Sequence, residues 1–148
     1  MTDVPTPLLE AQIHDGLGQR AKAQSAYQAA RELAEAKVSA DPDDSRAHSA
    51  LGLALAGLGE KQAAIREGQI AVGLMPVAKD GWRGAYRLED LARIYATVGE
   101  REKAVEILTR LRSMPTDLAG PAHVTDPAWA PLRGHPGFER LTENGSRD

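Results

Sequence analysis

The chain has 148 residues, which is enough for one domain, and its aromatic content of 4% argues against an all-β fold. Its formal net charge of −3 at pH 7 gives no support for nucleic-acid binding, which usually depends on a basic face. Because the sequence contains no cysteine, disulfides, thiolate zinc sites and cysteine nucleophiles are excluded.

Three helices are predicted in the first part of the chain. A short, imperfect helix covers residues 8–16, and a long helix rich in Ala, Glu, Lys, Arg and Gln covers residues 19–40. The long helix ends before Pro42, since proline disfavours the helical conformation in the residue that precedes it. The acidic residues that follow are good N-caps, and they predict a third helix over residues 45–56.

Three more helices are predicted in the second part. Apolar residues at helical spacing predict a helix over about residues 60–75, which stops before a proline. Residues 77–84 are predicted to form a loop. Two further helices cover residues 85–98 and 100–113, with a glycine between them.

The remaining segment, residues 116–148, has a different character, and the prolines between residues 115 and 136 allow only short helical turns there. Four large apolar residues recur in it, namely Trp129, Leu132, Phe138 and Leu141. A terminal helix pair in a stack exposes an apolar face that needs a cover. We therefore expect this tail to fold back and cap the helices.

A short turn sequence occurs three times. Gly18, Gly59 and Gly99 each follow Leu or Val and precede Gln or Glu, at intervals of 41 and 40 residues. An alanine comes five residues after each of these glycines. Such a period is typical of stacked repeats in which each unit is a pair of helices joined by a tight turn. Proteins of this kind usually bind other molecules rather than transform them.

The second helix pair resembles a tetratricopeptide repeat, whose pattern is W-x2-L-G-x2-Y, then A-x3-F, then P, in 34 residues. The matching positions hold Leu51, Gly52, Ala64 and Pro76. His48, Leu55 and Gly68 stand at the tryptophan, tyrosine and phenylalanine positions of the pattern. Of these three departures, Gly68 is expected to weaken the packing.

With the other two helix pairs in the same phase, the resemblance covers about residues 4–115. It implies a single all-α domain, an α-α superhelix or right-handed solenoid of three helix pairs. The repeats would lie at about residues 4–42, 45–76 and 85–115, and the capping tail at residues 116–148.

The tail, in segments 126–133 and 135–138, resembles the C-terminal ends of bacterial tetratricopeptide-repeat proteins. In those proteins such a domain often follows a kinase, a cyclase or a winged-helix module, which implies the docking or sensory part of a larger signalling protein. The first residues lack the basic and apolar regions of a signal peptide. The most apolar run, residues 50–58, is too short to span a bilayer, so we expect a cytoplasmic protein without a membrane partner.

No catalytic, cofactor or metal site is indicated by the sequence motifs. The histidines are His14, His48, His123 and His135. No two of them lie one helical turn apart, and the chain has no H-E-x-x-H, G-x-S-x-G or phosphate-binding glycine loop. His14 and His48 fall at repeat positions that bulky packing residues usually fill. The acidic run 41–44 lacks the glycine and the distal glutamate of a calcium loop, so helix capping explains it better.

The resemblance implies that the first helix of each pair lines a concave groove for a protein or peptide. The groove positions hold Leu8, Gln12 and Asp15, then Arg46, Ser49, Leu53 and Ala56, then Tyr86, Glu89, Arg93 and Ala96. We expect Arg46, Glu89 and Arg93 to give specificity. Repeats that clamp the carboxyl terminus of heat-shock chaperones need asparagine and basic residues where this chain has Gln12, Ala50, Tyr86 and Asp90, so that clamp is absent.

The function favoured by the sequence is therefore non-catalytic protein or peptide binding. A structural role is the alternative, in which the chain forms a homo-oligomer through an uncovered end of the solenoid. Trp82 also has two interpretations. It either packs the loop of residues 77–84 onto the core or forms an exposed contact for a partner.

Overall fold

The computed structural model describes residues 6–115 and 126–145, and within these ranges the chain is helical and forms no strand. The helices are α1 (Thr6–Gly16), α2 (Arg20–Ala40), α3 (Ser45–Gly57), α4 (Lys61–Leu74), α5 (Gly81–Thr97), α6 (Arg101–Arg112), a 3₁₀ helix (Pro127–Leu132) and α7 (Pro136–Gly145). The expectation of an all-α fold is confirmed. None of the described helices is both long and apolar enough to cross a bilayer.

Three equivalent glycine turns join α1 to α2, α3 to α4 and α5 to α6. Gly18, Gly59 and Gly99 have φ angles of 72°, 81° and 89°, in the left-handed region that favours glycine. At the second turn, the Gly59 N–H donates to the Ala56 carbonyl at 3.0 Å and the Glu60 N–H to the Leu55 carbonyl at 2.9 Å. The same pair of hydrogen bonds closes the other two turns, so each is a Schellman motif.

Two aspartates begin the central helices. The Asp44 carboxylate accepts hydrogen bonds from the backbone N–H groups of Arg46 and Ala47 at the start of α3, as the capping interpretation predicted. The Asp80 carboxylate accepts from the Arg83 N–H at 2.9 Å and begins α5 at Gly81. The prediction of a loop over residues 77–84 is therefore wrong in its second half, because an N-cap inside that segment starts the helix.

From α1 to α6, each helix packs against the next one along the chain, and α3 also contacts both α1 and α5. The buried side chains form two clusters. One lies among α1, α2, α3 and α4, and the other among α5, α6 and the C-terminal segment. Helix α3 is buried along most of its length because helices surround it on several sides.

Two glycines allow α3 and α4 to approach α5 closely. A Cβ atom added to Gly52 would lie 2.7 Å from Cδ1 of Ile94. One added to Gly68 would lie 2.8 Å from Cδ1 of both Ile94 and Leu91. The expectation that Gly68 weakens the packing is therefore wrong, since two side chains of α5 fill the space that its missing side chain leaves.

The described part of the tail packs against α5 and α6. The side chains of Trp129, Leu132, Phe138 and Leu141 are all buried in the same cluster as the core residues of those helices. These four residues therefore pack against α5 and α6, where the sequence predicts a cover. Residues 116–125, including His123, and residues 146–148 lie outside the described ranges.

Candidate functional site

An open cleft of about 540 Å³ lies beside the first turns of α3 and α5. On one side, the connection between α2 and α3 contributes Asp41, Asp43 and Asp44. On the other side, α5 contributes two arginines and two aromatic residues, and Arg46 lies at the start of α3. The cleft therefore has acidic groups on the connection between α2 and α3 and a basic, aromatic surface on α5.

The aromatic part of this surface is formed by Trp82 and Tyr86, which are one helical turn apart on α5. Their ring centroids are 6.0 Å apart and their planes meet at 67°, an edge-to-face arrangement that stabilises aromatic pairs. Trp82 is 49% exposed, while Trp129 is buried. Trp82 thus presents a large apolar surface at the mouth of the cleft.

The basic part of the α5 surface includes a buried arginine, Arg87. The Arg87 side chain is only 9% exposed, and its Nη2 atom lies 3.2 Å from the Asp90 carboxylate. Burial raises the pKa of Asp90 to about 6, although the positive charge of Arg87 opposes that shift. Nε of Arg87 is buried and has no hydrogen-bond partner in the described part of the chain.

The predicted groove residues lie in four different surroundings. Arg46 and Tyr86 line the cleft together with Trp82, the other residue that the sequence singled out as a partner contact. Ser49 and Glu89 are buried and Leu53 is half-buried, while Gln12 and Asp15 are exposed on α1 and do not line the cleft. Three further residues were assigned to the groove, and that assignment is wrong because all three lie in the core. They are Leu8, Ala56 and Ala96.

Asp15 is engaged within the chain through the phenol of Tyr27. Burial raises the pKa of Tyr27 to about 12, and the charge of Asp15 and a hydrogen bond to its carboxylate add to the shift. The carboxylate at this predicted groove position therefore stabilises the protonated hydroxyl of α2 and joins α1 to α2.

Arg93 holds the C-terminal segment against α5. Its Nη2 atom lies 2.7 Å from the Glu89 carboxylate and 3.0 Å from the Asp126 carboxylate. The guanidinium carbon also lies 5.0 Å from the centroid of the buried Trp129 ring, within the range of a cation–π contact. Two of the three residues expected to give ligand specificity, Glu89 and Arg93, thus contact each other and the chain itself.

The buried His48 side chain forms polar contacts with two segments, the connection between α2 and α3 and helix α4. Its Nε2 atom lies 2.8 Å from the Pro42 carbonyl oxygen, and its Nδ1 atom lies 2.6 Å from the Glu67 carboxylate. Because both partners accept hydrogen bonds, both ring nitrogens carry a proton in this arrangement. Burial lowers the pKa of His48, but the two hydrogen bonds and the negative charges of Glu67 and Asp44 together outweigh burial and raise the pKa above its ordinary value.

In the described ranges, no three side chains of the metal-ligating types His, Cys, Asp and Glu lie close enough together to hold a metal ion. The cleft offers guanidinium donors, aromatic faces and carboxylates. These groups can bind a ligand that carries charges of both signs next to an apolar side chain.

Comparison with protein-family models finds no match, and no curated protein sequence matches the chain. The likeness to tetratricopeptide repeats therefore rests on the sequence pattern alone.

The sequence interpretation missed Asp43, Arg83 and Arg87 as residues of the cleft. It placed Arg83 in a loop and left Arg87 outside the groove positions. The signal that could have corrected this is Asp80, an N-cap residue three positions before Arg83. Starting the helix there puts the aromatic and basic side chains of residues 82–87 on successive turns of α5.

Proposed function

We propose that the chain is a tetratricopeptide-like solenoid of three helix pairs that binds a protein or peptide and catalyses no reaction. The three equivalent turns support this architecture, as do the contacts of α3 with α1 and α5, the first helices of the neighbouring pairs. In this proposal the chain acts in the cytoplasm as the docking part of a larger signalling protein.

The observation that carries the binding proposal is the half-exposed Trp82 at the mouth of a cleft that also contains Arg46 and Tyr86. Tryptophan, tyrosine and arginine are the residues that most often dominate binding energy at protein interfaces. A rigid helix presents them here, so little conformational entropy is lost on binding.

The experiment compares partner capture by the wild-type chain and by a Trp82→Ala, Tyr86→Ala double variant. Protein captured from a lysate of the source cells is identified, purified and titrated against both chains. Loss of two central aromatic contacts is expected to weaken the affinity by a factor of about 30 or more.

Ile70→Ala is the matched control for that experiment, because Ile70 is an exposed apolar residue of α4 that does not line the cleft. We expect this variant to bind the partner like the wild type. A captured partner that binds the double variant with unchanged affinity would contradict the proposal.

Self-association is the second candidate, and it is favoured by an exposed apolar stripe on α1 and the turn after it. The stripe consists of Leu9, Ile13 and Leu17, which are 49%, 53% and 66% exposed. Exposed apolar surface of this kind often marks an interface. Light scattering over a range of protein concentrations tests self-association. A wild-type dimer that Ile13→Glu converts to a monomer supports self-association, and a wild-type monomer contradicts it.

A further inference from the structure

Arg87 is the polar group of the cleft whose hydrogen bonding the fold leaves incomplete. Its side chain is 9% exposed, and one of its nitrogens pairs with Asp90 at 3.2 Å. Its Nε atom has no acceptor in residues 6–115 and 126–145. A buried guanidinium donor without an acceptor destabilises a protein, so an additional acceptor brought to this side chain would be bound favourably.

A second arginine stands on the same side of the cleft. Arg83 lies one turn before Arg87 on α5, and its side chain is 74% exposed. Its contact with Asp80 is long, at 3.8 Å, so it leaves most of the guanidinium accessible. The two arginines together provide a buried and an exposed donor for one carboxylate.

The connection between α2 and α3 provides the opposite charge. Of its three aspartates, Asp44 accepts hydrogen bonds from the start of α3 and Asp41 accepts one from the Asp43 N–H. The Asp43 carboxylate has no ion pair in the described part of the chain and lines the cleft. It is the acidic group best placed to receive a cation from a ligand.

We propose that this cleft binds an extended peptide segment with an acidic and a basic side chain, the acidic one against Arg83 and Arg87 and the basic one against Asp43. An apolar side chain of the same segment packs on Trp82, which is 49% exposed. A cleft of about 540 Å³ is in the size range of small-ligand pockets, so it accommodates a few extended residues rather than a helix. The inference rests on the proposed binding function and specifies its ligand.

The probe is an array of short peptides with blocked termini, each carrying one acidic, one basic and one apolar residue in every order. Matched peptides replace the acidic residue by Gln, the basic residue by Gln, or both. We expect the wild-type chain to retain peptides with both charges and to bind the neutralised peptides about tenfold more weakly, because each lost ionic hydrogen bond costs roughly that factor.

Three variants assign the two charges to the two sides of the cleft, and a fourth is the control. Arg83→Gln and Arg87→Lys should lose the preference for the acidic residue, and Asp43→Asn should lose the preference for the basic one. Arg87→Lys keeps a cation beside Asp90 and so preserves the fold, while removing the Nε donor. Arg110→Gln, an exposed arginine of α6 away from the cleft, is the control and should select the same peptides as the wild type.

Three results would overturn the inference: selection by the wild type that ignores charge, selection unchanged in Arg83→Gln and Asp43→Asn, or displacement of the peptides by inorganic phosphate alone. The last result would indicate a simple anion site. These three results are independent of the partner-capture experiment with the Trp82→Ala, Tyr86→Ala variant. A chain that captures its partner through these aromatic residues but ignores charge retains the proposed function and loses only this inference.

Discussion

The ionisation of His48 makes the stability of the chain depend on pH. Burial opposes the protonated form of His48, but hydrogen bonds to Glu67 and the Pro42 carbonyl and the charges of Glu67 and Asp44 together raise its pKa in the folded chain. Because this pKa exceeds the unfolded value, the stabilisation is fully present below the unfolded pKa and is lost as pH rises through the folded one. The free energy of unfolding therefore falls on the alkaline side of about pH 6.5.

We expect His48→Gln to remove that pH dependence. Glutamine donates a hydrogen bond but carries no charge, so the free energy of unfolding should fall by about 2 kcal/mol near pH 6 and by less near pH 9. Urea denaturation at a series of pH values measures the difference. Asp90, whose pKa burial raises to about 6, titrates at the lower end of this range in both proteins, so its contribution cancels when the two are compared.

The control for His48 is His14→Gln. His14 contacts Gln19 at 2.7 Å at the protein surface and has no carboxylate partner within residues 6–115 and 126–145. Its substitution should leave the alkaline slope unchanged. If the wild-type stability is constant from about pH 6 to about pH 9, the doubly protonated state of His48 is not what holds the two segments together.

At the scale of a single helix, α4 contains two glycines in different surroundings. A Cβ at Gly68 would meet Leu91 and Ile94 at 2.8 Å, whereas one at Gly73 would meet nothing within 4 Å. We expect Gly68→Ala to lower the free energy of unfolding by about 1 kcal/mol, since crowding exceeds the gain in helix propensity. Gly73→Ala should raise it by about 0.5 kcal/mol or more.

Thermal or urea denaturation of both variants tests this contrast, with Gly73→Ala as the matched control on the same helix. Gly68→Phe adds a further comparison, because phenylalanine is the residue of the tetratricopeptide pattern at this position. The packing of α5 leaves no room for that ring. A more stable Gly68→Phe protein would show that the gap between α4 and α5 is wider than the side-chain contacts indicate.

Local signals predicted the helices of this chain better than its contacts. The glycine turns and the aspartate caps act within a few residues, so the sequence gives most helix ends to within two residues. The close packing of Gly68 depends on α5, and the pairing of Arg93 with Asp126 joins residues 33 positions apart. Periodicity does not specify such distant partners, which is why the roles of these residues were missed.

In the candidate site, too, local features were predicted better than contacts between distant residues. Arg46 and Tyr86 were predicted because they occupy equivalent positions in a repeat pattern, and Trp82 because an exposed tryptophan in a loop is a candidate contact for a partner. The burial of Arg87 depends on how α5 packs against its neighbours. No pattern within α5 distinguishes it from an ordinary solvated arginine.

At the scale of the whole molecule, Ile94 of α5 connects the two buried clusters, together with the half-buried Ile65 of α4, which packs against both. The other core residues of α5 belong to the C-terminal cluster, but Ile94 is buried in the cluster of α1, α2, α3 and α4. Its Cδ1 atom occupies the space left by Gly52 and Gly68. In a stack where each helix mainly contacts its neighbours, cooperative unfolding depends on such interface contacts.

We therefore expect Ile94→Ala to separate the unfolding of the two clusters, with a loss of about 3 kcal/mol in the free energy of unfolding. In a Trp82→Phe background, the buried Trp129 is the sole tryptophan and reports on the C-terminal cluster, while circular dichroism reports on all helices. The two urea transitions should coincide in the parent chain and diverge in Ile94→Ala. The control is Leu108→Ala, a similar truncation inside the C-terminal cluster, which should lower stability without separating the two transitions. Coincident transitions in Ile94→Ala would mean that other contacts couple the two clusters.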